Sequence, residues 1–143
     1  MLKSIPSIIS PELMKCLMEM GHGDEIVLAD GNFPATAYAN RLIRYDGHNI
    51  LPLLDAIMRY FPLDQSVPSA AIVMALAQDE RAPDNWEEYH RILRAQETSF
   101  ANFNYLDRFG FYERAQKAFV IVATSDRAFK GNLILKKGVV REA

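Results

Sequence analysis

Cysteine occurs once in this 143-residue chain, at Cys16, and histidine three times, at His22, His48 and His90. A lone cysteine excludes a disulfide within the chain, and its absence suits a reducing compartment. The histidines lie far apart, with no second ligand at i+3 or i+4 and no cysteine pair beside them. A zinc site would have to be gathered from distant loops, so no metal is expected. Charge of one sign is also lacking. The formal net charge is −2, and the cations are scattered apart from Lys136-Lys137. That leaves no basic face for nucleic acid. No apolar run approaches membrane-spanning length, and the N-terminus lacks the basic start, long apolar stretch and small-residue cleavage site of a signal peptide. No membrane association is expected, and the expected location is cytoplasmic. Missing too are a Gly-x-x-x-x-Gly-Lys-Ser/Thr phosphate loop, a Gly-x-Gly-x-x-Gly after a strand and a Gly-x-Ser-x-Gly nucleophile elbow.

What is present is an ordinary core. Half the residues are hydrophobic and 24% are charged, enough for one domain over 1–143 with no disulfide or metal to staple it. Ser10 and Pro11 read as N-cap and first residue of a helix carrying Leu13, Cys16, Leu17 and Met20 at helical spacing. Gly21 is expected to end that helix in a left-handed cap. Ile26 to Ala29 form a strand, followed by the turn cluster Gly31-Asn32-Phe33-Pro34. Arg41 to Tyr45 make a second strand. Leu51, Leu54, Met58 and Phe61 mark a helix between Pro52 and Pro62. Ala70 to Leu76 is the next strand, and Asp84 with Glu87 reads as a capping box opening a helix with Trp86, Tyr89 and Leu93 inward. Strands at Phe103–Leu106, Ala118–Thr124 and Leu133–Leu135 and a helix at Phe109–Lys117 complete the pattern. Alternation of this kind predicts an α/β fold, a single domain with helices covering the sheet. Only a short loop separates the last two strands, so a mixed β-sheet is expected rather than a parallel one.

The polar residues at strand ends are the candidates for chemistry: His22, Asp30, Arg108 and the Lys130-Gly131-Asn132 turn. His22 stands between two glycines that let backbone and ligand come close, and imidazole exchanges protons near neutral pH. It can equally be a histidine that hydrogen-bonds a loop. Asp30 can be a cap for its own turn, and Asn132 a turn residue. By position, a surface pair with Asp107 or Glu113 is the favoured reading of Arg108. His48 in a polar turn and His90 on an outer helix face read as solvated, and Trp86, Tyr89, Phe111 and Phe119 as core.

Met20-Gly21-His22-Gly23-Asp24-Glu25-Ile26, then Asp30 and Phe33-Pro34, resemble the L-fucose mutarotase and D-ribose pyranase family, in its fucose branch. Arg108 to Phe119 and Gly131 to Val139 extend the likeness, which runs from about Ser10 to Val139. The resemblance implies a mixed α/β fold, no cofactor, and exchange of free L-fucose between its α and β pyranose anomers. It implies His22 as the catalytic residue and Asp30, Arg108, Lys130, Gly131 and Asn132 as the sugar-binding positions. Where the family usually has tyrosine this chain has Lys130, with Phe129 offering a ring one position earlier. D-ribose or another aldose as substrate, or sugar binding without turnover, are the alternatives. The resemblance also implies a homo-oligomer, a ring such as a decamer or a dimer, with pockets near subunit interfaces. A physical argument leads the same way: an extended Glu25–Ala29 puts roughly 20 Å between His22 and Asp30. Either Gly21–Asp24 folds back over the sheet, or neighbouring subunits share the pocket.

Overall fold

Every apolar run read as a strand is one. In the computed structural model, residues 1–142 are described, and Ala143, the last residue of the domain expected over 1–143, lies outside them. Strands β1 (Glu25–Ala29), β2 (Leu42–Tyr45), β3 (Ala71–Met74), β4 (Asn104–Leu106), β5 (Val120–Thr124) and β6 (Leu133–Lys136) form one sheet in the order β2-β5-β1-β6-β3-β4. Strand β5 runs parallel to β1 and to β2, and β4 parallel to β3, whereas β6 is antiparallel to both of its neighbours. The loop from β5 to β6 is too short for a crossover, so β6 must return in the opposite sense. Five strands therefore end at the same edge of the sheet, the edge where β6 begins.

Helices α1 (Pro11–Glu19), α3 (Ile50–Met58) and α4 (Asn85–Gln96) cover one face, and α2 (Ala35–Tyr38) and α5 (Arg108–Gln116) the other. β1 shows the division by its pleat: Ile26 and Leu28 join Leu13, Leu53 and Tyr89, while Val27 and Ala29 join Phe33, Phe111 and Ala115. With both faces covered, β1, β3 and β5 are buried at every residue and show no polar alternation.

Two local expectations need correcting. Gly21 does not cap α1 in the left-handed region. The helix ends at Glu19, Met20 is extended and buried, and the positive φ falls at Gly23, at +88°. The reason lies in the four-residue turn Gly21–Asp24, closed by the Asp24 N–H to the Gly21 carbonyl (3.1 Å), whose third residue takes positive φ. The Asp24 carboxylate accepts from the Gly21 N–H at 2.7 Å and ties the turn together. The Asp84 capping box does not form either. Asp84 is itself helical (φ −57°, ψ −26°) and makes no side-chain cap, because the chain begins to wind at Pro83, whose carbonyl accepts from the Trp86 N–H. The single turn α2 offers too few positions for a helical period and goes unforeseen.

Candidate functional site

At the edge where five strands end, the loops leave a cavity of about 340 Å³ lined by Asp30, Arg108, Glu80, Tyr112, Phe129, Lys130 and Asn132, among others. That is a small-molecule volume, at the place where open α/β sheets hold ligands. Asp30 follows β1, Arg108 is the first residue of α5, and Lys130–Asn132 lead into β6. Asn132, buried before β6, accepts the Asp30 N–H on its Oδ1 at 2.7 Å and so joins the end of β1 to the start of β6. Asp30 Oδ1 accepts from the Asn32 N–H at 3.0 Å, so the turn cap is real, and the same side chain lines the cavity. Gly131 sits at a close approach: a Cβ there would lie 3.1 Å from both the Ala128 Cβ and its carbonyl oxygen.

Arg108 does not make the expected surface pair. Asp107 caps α5 through the Gly110 N–H, and Glu113 instead reaches Lys117. The guanidinium lies 5.5 Å from the Tyr112 ring centroid and 6.0 Å from that of Phe109, a cation presented to the cavity on aromatic support. Lys130, at φ +51°, is likewise not a free turn residue. Its ammonium donates to the Ala75 carbonyl (2.8 Å) and to Glu80 Oε1 (2.5 Å), drawing the loop after β3 against the cavity. Phe129, 5.6 Å away by ring centroid, stays exposed beside it. Glu80 is a lining residue that sequence reasoning missed, since nothing local distinguishes it from other loop carboxylates.

Burial raises the Asp30 carboxyl above its ordinary range, against the lowering effect of backbone hydrogen bonds. A carboxyl raised in the folded state costs stability, and the cost grows as pH rises from the unfolded-state value through the folded-state one. Asp30→Asn keeps the Oδ1 acceptor for Asn32 and removes the charge. It is expected to melt above the wild type at about pH 7, with the gap closing as pH falls towards about 4. Thermal unfolding across that range reads it, and a lower midpoint for the variant at neutral pH would show that the hydrogen bonds outweigh the burial.

His22 lies at the opposite edge. Its turn leads into β1, where the Gly23 N–H donates to the Lys137 carbonyl and the Lys137 N–H to the Asp24 carbonyl, both at 2.8 Å. The segment thus continues the pairing of β1 with β6 and does not fold back over the sheet. The His22 ring, 52% exposed, meets Asp64 Oδ1 through Nε2 at 3.2 Å, and both line a second cavity of about 410 Å³ with Ser66, Glu97 and Arg141. The Ser66 hydroxyl, then its N–H, hold the Asp64 carboxyl down at about 2. No residue lines both cavities. Five strand steps of about 3.3 Å separate them along β1. The fold therefore brings Asp30, Arg108, Lys130, Gly131 and Asn132 together and leaves His22 apart.

The other histidines divide. His48 is exposed in its turn. His90 is half-buried against Phe100 and Phe103, with Nε2 2.7 Å from the Ala101 carbonyl, and is not the solvated residue expected. Trp86, Tyr89 and Phe111 are core, as read, and Phe119 packs partly buried against it. Among the described residues no group of three or more His, Cys, Asp or Glu could hold a metal ion, and no helix is long and apolar enough to cross a membrane.

A model of the RbsD / FucU transport protein family matches residues 3–140. The chain belongs to this family. Similarity within the RbsD / FucU family runs nearly end to end. The fucose mutarotase of Danio rerio and that of Homo sapiens are each 47% identical to it over 146 aligned residues, 97% of this chain and 94% of theirs. The crystal structure of the fucose mutarotase in complex with L-fucose from Streptococcus pneumoniae superposes with a TM-score of 0.94 at 49% identity, covering 98% of this chain and 100% of that one. The family and the mixed α/β fold expected from the glycine-histidine turn and the α5 segment are therefore those of this chain.

Proposed function

We propose that this protein is a fucose mutarotase, an isomerase that interconverts the α and β anomers of L-fucopyranose by acid–base opening and closing of the ring. The observation that carries this reading is similarity, at 49% identity over 98% of the chain, to a fucose mutarotase crystallised with L-fucose. The chemistry suits the residues. Ring opening takes a proton from the anomeric hydroxyl and delivers one to the ring oxygen, and closure on the other face reverses both transfers. Positioned proton transfer suffices for this, without a covalent intermediate. His22 is the proton donor to the ring oxygen, and an imidazole can take the proton back on closure. A water in the pocket receives the anomeric proton.

Asp30 accepts sugar hydroxyls, while Arg108 and Asn132 donate to them, and the Lys130-Gly131 backbone shapes the turn they stand on. Since His22 and this cradle occupy opposite edges of the sheet, the complete site is built from two chains of a homo-oligomer, one giving His22 and the other the cradle. The free Cys16 thiol suits a reducing cytoplasm.

Magnetisation transfer between the two anomeric proton signals of L-fucose tests the activity. Catalytic amounts of protein are expected to speed the exchange at neutral pH, with no added metal or nucleotide and no loss in chelator. Unchanged exchange despite sugar binding would leave a binding protein. Faster exchange for D-ribose than for L-fucose would reassign the substrate.

A further inference from the structure

We infer that the ion pair of Lys130 with Glu80 is a specificity determinant of the sugar cradle: Glu80 cancels the charge of the lysine, so that the cavity takes neutral sugars and turns away sugar acids. This deepens the proposed function and rests on the cavity beside Asp30 and Arg108 being where the sugar sits. Four charged side chains line that cavity, the carboxylates Asp30 and Glu80 and the cations Arg108 and Lys130. Their formal charges sum to zero. A neutral sugar loses nothing by this, whereas a carboxylate would give up its water with no net positive field to repay it. One contact holds the balance. Lys130 Nζ donates to Glu80 Oε1 at 2.5 Å, between side chains only 16% and 25% exposed, while Arg108 makes no ion pair among the described residues.

Each charge is fixed independently of the other. Two side chains of α4 hold the turn at the root of the lysine: Trp86 Nε1 donates to the Lys130 carbonyl at 3.0 Å and the Tyr89 hydroxyl to the Gly131 carbonyl at 2.7 Å. At its tip, the ammonium also donates to the Ala75 carbonyl at 2.8 Å, just past β3. Lys130 therefore keeps its place without Glu80. Glu80 in turn closes the tight loop from Ala77, with its Oε1 accepting the Ala77 N–H at 2.7 Å and its own N–H donating to the Ala77 carbonyl at 3.1 Å. Lys130 first, and then the Ala77 N–H, hold the Glu80 carboxyl below its ordinary range, so it is charged at neutral pH. Neither bond to Oε1 needs that charge, since an amide oxygen accepts both. Glu80→Gln thus removes one negative charge and keeps the geometry, leaving Lys130 as an uncompensated cation. A cavity of about 340 Å³ spans less than a Debye length, about 10 Å at 0.1 M salt, so a carboxylate anywhere in it meets that field.

The probe is L-galacturonate, which carries a carboxylate where L-fucose carries its methyl group. L-Galactose, with a hydroxymethyl group there, controls for size. Calorimetric titration of the full chain with all three sugars gives their relative affinities. The unmodified protein is expected to bind L-galacturonate more weakly than L-galactose, and the reverse order would overturn the inference. Glu80→Gln is expected to shift the ratio about tenfold towards the acid, the scale of one charge acting at an intermediate dielectric, with the shift shrinking as salt is added. Lys130→Met alone should move the ratio the other way, because Glu80 is then the unpaired charge. The double variant should return it to the wild-type value. A merely structural role would weaken all three sugars together and leave the ratio where it was. An unshifted ratio in Glu80→Gln, or a double variant that keeps the shift, overturns the inference. Failure of the proposed function reads differently. If no sugar binds, both fall; if L-fucose binds and exchanges while the ratio ignores Glu80, only this inference does.

Discussion

His22→Ala is expected to lower L-fucose anomer exchange by about 10²–10⁴-fold, the span of a general acid–base group, with the fold undisturbed. The structure makes the second half as firm as the first. The ring is half exposed, its one hydrogen bond among the described residues is to Asp64, and Asp64 keeps both Ser66 bonds when the ring is gone. His22 belongs to neither core cluster, so the cost in stability stays within the range of a surface substitution. Exchange spectroscopy and thermal unfolding on the same sample separate the two effects. A variant that unfolds normally and still exchanges fucose at nearly the wild-type rate would remove His22 from the reaction and leave it a loop histidine.

A second large change, in the opposite direction, is expected from mixing two nearly inactive proteins. If one chain supplies His22 and another the cradle, subunits carrying His22→Ala and subunits carrying Arg108→Ala complement each other after dissociation and reassembly. Random pairing of equal amounts makes about a quarter of the sites from two intact halves, as expected for contacts between identical chains. Activity should thus rise from near zero to about a quarter of wild type. Arg108 is the better choice for the cradle half, because it is exposed and makes no ion pair among the described residues. Asn132→Ala would instead strip the Asp30 N–H of its buried acceptor and confound loss of function with loss of fold. No recovery, with subunit exchange demonstrated by mass, would place each complete site within one chain.

Legibility differed between the two halves of the site. The cradle residues stand directly after strands or before them, where apolar runs stop and turn chemistry starts, so their positions follow from local pattern. The same holds for the sheet, because β1, β3 and β5 are buried throughout and, apart from Glu25 and Thr124 at their ends, wholly apolar. Asp64 carries no such mark. It lies 42 residues from His22, and only the antiparallel seating of β6, whose carbonyls tether both loops, brings the two together. Glu80 meets Lys130 across 50 residues for a similar reason. The failed cap at Asp84 has a different origin: the motif was correct in composition, but the preceding Pro83 began the winding one residue early. Spacing along the chain identifies what a residue can do at its own position, and long-range pairing decides whether it does so.

Placing the two cavities on opposite edges of one sheet has a consequence for how such a chain can change over generations. Substitutions around Arg108, Phe129 and Lys130 reshape the cradle without touching anything that contacts His22 or Asp64 in the same chain. Sites so far apart, with no shared neighbours, respond to substitution nearly independently. With the roles proposed above, preference among sugars would be free to drift at one end of the molecule while the proton chemistry is inherited intact at the other. Under the proposed shared site, the whole catalyst would be reunited where two copies meet.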